Sequence, residues 1–143
     1  MRFPLCVSPN LARVSYPHIL PKILLIGVAG LLGTLARYAL SGYVARRFGE
    51  TFPTGTLVVN LVGCFLAGLI FYLMQERFLI NQTVRTAVMI GLLGGFTTFS
   101  SFGLQTFTLL RDGEIGLATL NVLASNAAGL LTVWAGYTLG RLL

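Results

Sequence analysis

Residues 94–102, GGFTTFSSF, set two glycines, four hydroxyls and three phenylalanines inside a stretch that is otherwise apolar. Phe99 and Phe102 are three apart and share a helical face, with Ser100 and Ser101 between them. An aromatic ring carries a positive edge, so a ring held edge-on favours an anion. Hydroxyl and amide N–H groups are donors that replace part of an anion's hydration. Two further polar residues stand in other apolar stretches: Asn60, whose amide cannot be left facing lipid, and Arg37, a cation able to gather anions at a mouth. This set suits a small negative solute as the transported ion. Plainer roles compete: lipid or core packing for the phenylalanines, an interhelical hydrogen bond for Asn60, and snorkelling to the membrane surface for Arg37.

Adjacent Gly94 and Gly95 weaken a helix by about 1 kcal/mol each, and Thr97 and Thr98 bring hydroxyls that compete for backbone partners. A break in the helix is expected near residues 94–98. Irregular backbone at membrane depth survives only where protein, water or an ion satisfies the freed groups. The carbonyls of Gly94 and Thr97 therefore become candidate cation ligands, with a plain kink as the alternative.

The elements that must position these residues are membrane spans. The chain of 143 residues is 55% hydrophobic and only 10% charged, too little charge to cover a soluble domain. Four apolar blocks, at about residues 23–46, 54–75, 84–110 and 115–140, each exceed the ~20 residues needed to cross the hydrocarbon. An all-α membrane protein follows, with one domain over residues 22–143. Residues 1–21, with four prolines, read as a poorly ordered tail or an over-extended start of the reading frame.

The net charge of +6 is spread over short loops, which speaks for membrane topology and against nucleic acid. Lys22, Arg77, Arg85 and Arg141 fall on one side; Arg46, Arg47 and Arg111 fall on the other. Such near balance instructs orientation only weakly, which makes an antiparallel homodimer a live arrangement. Small residues line several spans: Gly30 and Gly33 in the first, Gly63 and Ala67 in the second, Ser125, Gly129, Thr132 and Gly136 in the fourth. Close helix packing accounts for most of them.

Absences narrow the function. Glu50, Glu76, Asp112 and Glu114 all fall in or beside loops, so no deep carboxylate is available to a proton-coupled carrier. No span pairs a nucleophile with a base, which disfavours an enzyme. Cys6 and Cys64 lie too far apart in setting for a disulfide, and with His18 in the tail they form no metal site.

GGFTTFSSF, with GTLVVNLVGCFLAG (55–68) and GLLGTLARY (30–38), resembles the CrcB/Fluc family of fluoride channels from about Lys22 to the end. The resemblance implies an antiparallel, dual-topology homodimer with two pores and passive, selective fluoride export across the cell membrane. A paralogue in place of the second copy is the other arrangement left open. It also implies that Phe99 and Phe102 line the ion path with Asn60, Ser100 and Ser101, and that Arg37 stands in the vestibule. The carbonyls of Gly94 and Thr97 would hold a structural Na⁺ at the dimer interface. Two residues depart from the family pattern: Gln105 replaces a frequent glutamate, and Asn121 a common tyrosine. The rival readings are a small proton-coupled carrier and a structural subunit of a larger membrane complex.

Overall fold

The computed structural model describes residues 19–49, 51–78 and 80–143. It is all-helical. Four helical segments are long and apolar enough to span a membrane: Ile19–Phe48, Thr54–Arg77, Gln82–Arg111 and Ile115–Leu142. Helix α1 is Ile19–Phe48. It starts before the expected boundary, so the last three residues of the 1–21 tail are helical, and the rest of that tail lies outside the described residues. The prolines suggested the later start, but Pro21 falls in the first helical turn, where its missing N–H has no intrahelical acceptor to lose. Gly49, with φ 80°, closes the helix through its N–H to the Ala45 carbonyl (2.9 Å).

Helix α2 is Thr54–Tyr72 and continues as π-helical Leu73–Arg77. The third span begins with α3, Gln82–Thr86, capped by the Asn81 side chain, which accepts from the Thr83 N–H at 2.7 Å. It runs on through π-helical Ala87–Leu93 and one closing turn, Gly94–Phe96. After two extended residues the span resumes as α4, Phe99–Arg111. Gly113 at φ 83° ends α4: its N–H reaches the Leu110 carbonyl at 3.1 Å, and the Glu114 N–H reaches that of Leu109 at 2.8 Å. That turn leads into α5, Ile115–Leu142.

The spans pack by backbone contact through glycine. A Cβ on Gly136 would strike the Phe65 carbonyl and one on Gly68 the Val133 carbonyl, which fixes α2 against α5. In the same way Gly33 admits the Leu92 carbonyl, and a Cβ on Gly91 would lie 2.7 Å from the Ile26 carbonyl, fixing α1 against the first half of the third span. Gly55 sits against the Ser41 carbonyl and joins α1 to α2. Lipid offers no hydrophobic drive between helices, so this closeness supplies the dispersion contact that holds them together. Val59 lies at the centre, fully buried. Helix α4 differs from the other long helices, because it buries no residue within the protomer and rests mainly on α5.

Candidate functional site

The interruption falls at Thr97 (φ −86°, ψ 162°) and Thr98 (φ −152°, ψ 114°), inside the expected window, while Gly94 keeps helical angles (φ −65°, ψ −35°). The glycines are thus not where the helix opens. Gly95 is needed for approach, since a Cβ there would lie 2.5 Å from the Gly30 carbonyl. Instead, the backbone opens where another helix supplies replacement partners. The Thr98 N–H donates to Asn60 Oδ1 (2.9 Å), and Asn60 Nδ2 donates to the Thr98 carbonyl (3.1 Å). This amide from α2 pairs with the open strand as a neighbouring peptide would. The expectation that Asn60 must face a helix or a wet passage is met by that pair, and its second N–H stays available.

Because the Thr98 N–H turns to Asn60, the Gly94 carbonyl lacks the partner it would have in a continuous helix. Gly94 itself is exposed on the protomer. The Thr97 N–H and hydroxyl both still bond the Leu93 carbonyl, at 2.9 and 3.0 Å, so Thr97 is tied backwards while its own carbonyl lies past the turn.

Thr98 also caps α4. Its Oγ1 accepts from the Ser101 N–H (3.2 Å), donates to Ser101 Oγ (3.0 Å), and lies 3.3 Å from Ser100 Oγ. With the Thr98 proton spent on it, the Ser101 hydroxyl is free to donate its own. Phe99 and Phe102 follow on the first turn, ring centroids 5.4 Å apart and planes tilted by 45°. Phe99 is 83% exposed at mid-span, whereas Phe102 is half-buried.

Three spaces meet at this junction. A groove of about 410 Å³ is lined by Asn60, Gly94, Thr97 and the two phenylalanines on one side, and by Ser125 and Asn126 on the other. Thr98 also lines a second cavity of about 260 Å³, which holds Arg37, Thr34, Thr56 and Ser101. Among the described residues the Arg37 guanidinium has neither an ion pair nor a protein hydrogen bond. Ser41, Thr56 and Ser101 belong also to a third space of about 490 Å³, reaching Gly49 and Phe52 at the end of the bundle. Thr54 Oγ1 and Gln105 Oε1, in the lining of that space, are buried and have no hydrogen-bond partner among the described residues.

The expected site residues therefore gather around one junction, though not in one chamber. Asn60, Phe99, Phe102, Gly94 and Thr97 share the groove, Arg37 and Ser101 share the second cavity, and Ser100 lines none of the three. From the sequence Thr98 is named only as a helix breaker, not as a site residue, and Thr56 is not named at all. A threonine immediately before an apolar helical run is an N-cap signal that marks Thr98; nothing local marks Thr56.

Taken together, an all-helical four-span protein with one interrupted span, a largely apolar groove at the interruption and more polar cavities beside it is a membrane transport scaffold. Residues 24–137 match the family described as CrcB-like protein, Camphor Resistance (CrcB). A relative from Opitutus terrae is 53% identical over 116 residues, covering 80% of this chain and 88% of its own length. One from Geobacter sulfurreducens is 50% identical over 119 residues, covering 83% and 96%, and one from Desulforapulum autotrophicum is 46% identical over 122 residues, covering 85% and 98%. All three are described as fluoride-specific ion channel FluC. The chain belongs to the CrcB family.

Proposed function

We propose that this protein is a fluoride-selective channel that lets fluoride leave the cell passively across the cell membrane. The observation that carries the reading is the third span opened at Thr97–Thr98 and pinned by Asn60, which sets Phe99 and Phe102 in the groove and the Ser101 hydroxyl in the adjoining cavity. Arg37 gathers anions in the second cavity. Dehydration is then offset stepwise by the remaining Asn60 N–H, the Ser100 and Ser101 hydroxyls and the phenylalanine edges. Chloride is excluded because a narrow path with strong donors does not fit the larger anion. A cell-negative potential of ~100 mV drives one anion outward by ~2.3 kcal/mol, so no fuel is needed.

The functional unit is an antiparallel, dual-topology homodimer. Support comes from the groove, which leaves Phe99 uncovered on a lone protomer, and from the near balance of basic residues at the two ends. The freed Gly94 carbonyl, together with that of Thr97, offers hard oxygen ligands of the kind Na⁺ takes, and a second copy doubles the set. When bound, the ion supplies positive charge that holds the two broken spans together.

The test is fluoride efflux from liposomes containing the purified protein, with chloride as the control anion. Fast efflux that needs a potassium ionophore for charge balance, and fails for chloride, is expected. Phe99→Ile should abolish most of it with assembly intact. Uptake driven by a pH jump would instead favour a proton-coupled carrier, and silence of the folded protein alone would favour a structural subunit.

A further inference from the structure

The one fully buried polar side chain among the described residues is Asn121 on α5, 2% exposed, and the path described above makes no use of it. Its Nδ2 donates to Thr106 Oγ1 at 2.8 Å, and the same Oγ1 donates to the Phe102 carbonyl at 2.8 Å. Two hydrogen bonds thus run from the packed α2–α5 pair to the backbone of the half-buried phenylalanine beside the groove.

Helix α4 needs such a tether. The break frees it from the first half of its own span, and it buries no residue in the protomer. Asn60 holds its leading end through Thr98, four residues before Phe102; Thr106, four residues after, takes the second hold. A threonine in a helix divides between two χ1 wells, one of which places its hydroxyl on the carbonyl four residues back and bends the helix slightly. The Asn121 donor meets Thr106 Oγ1 in that well. We infer that Asn121 is a positioning residue: acting through Thr106, it fixes the rotation and bend of α4 and thereby the aim of Phe102, without touching the ion itself.

The inference rests on the channel reading, so flux through the unaltered protein is measured beside the variants. Asn121→Leu should lower fluoride flux roughly three- to thirty-fold, the range one interhelical hydrogen bond in a membrane commands. Thr106→Val should do the same, Thr106→Ser should restore most of the flux, and the double variant should be no slower than the worse single one. A second readout does not depend on flux: the ¹⁹F resonance of 4-fluorophenylalanine at position 102 should broaden or split in Asn121→Leu, with dimer mass and melting temperature kept. A single sharp ¹⁹F line in Asn121→Leu, additive losses in the double variant, or a flux loss matched by loss of folded protein would each overturn the positioning role. If the unaltered protein passes no fluoride, the channel reading falls, and with it this use of Asn121. If only the variants behave like the parent, this inference falls alone.

Discussion

Asn60 makes the sharpest test of how the break is held. Replacing it with leucine removes both bonds to Thr98, of 2.9 and 3.1 Å, and leaves an N–H and a carbonyl of the open strand without their partners. At ~0.6–2 kcal/mol for each interhelical bond in a membrane, the pair contributes about 1–4 kcal/mol, or roughly one to three decades in the population of the pinned conformation. Asn60→Asp separates the two bonds. Its carboxylate still accepts from the Thr98 N–H but turns an acceptor toward the Thr98 carbonyl. Protection of the Thr98 amide in Asn60→Asp should therefore lie below that of the parent, because the bond to the Thr98 carbonyl is lost, and above that of Asn60→Leu. Asn60→Leu should be unprotected. Amide hydrogen exchange of Thr98 in a lipid nanodisc, corrected for intrinsic rates, reads this directly. Full protection in Asn60→Leu would refute the reasoning, because it would mean the break is held by something else.

Other consequences are quicker to check. Gly136→Ala sets a methyl against the Phe65 carbonyl and should destabilise the protein by ~1–3 kcal/mol in a thermal melt, whereas Gly116→Ala meets nothing within 4 Å and should be neutral or slightly stabilising. Prolonged exchange of Na⁺ for a large organic cation should lower the melting temperature of the dimer; an unchanged melt would remove Na⁺ from the Gly94 and Thr97 carbonyls. Reporters fused after Leu143 should give signal from both sides of the membrane, and a signal from one side only would count against dual topology.

The four spans were legible because about twenty apolar residues in a row leave few alternatives, and each came out with ends within a few residues of the reading. The start of α1 was read late, since prolines look like disorder until one of them proves to occupy a first turn. The interruption was legible as a place and less so as a cause. Gly94 and Gly95 drew the eye, yet the strand opens at Thr97 and Thr98, because the decisive partner is Asn60, thirty-eight residues away in sequence. The pairing of Asn121 with Thr106 is hidden for the same reason: Asn121 stands out as a departure but not by its partner, and only the packing of α4 on α5 brings the two together. Thr56 was invisible because a cavity formed by three helices leaves no local pattern in any one of them.

The glycine contacts also bear on how this chain can change over time. At Gly33, Gly68 and Gly136 the facing atom is a main-chain oxygen of the neighbouring helix, which no rotamer change can move aside. Many codon changes at such a site introduce at least a methyl, and a compensating substitution opposite is not available, because every amino acid carries the same carbonyl. The large aliphatic side chains on the exposed face of α1, among them Leu24, Leu31 and Leu35, meet no such limit and can exchange for one another while staying apolar. Drift in this scaffold is therefore directed outward: side chains exposed on the protomer are freer to diverge while the glycine seams between helices stay fixed.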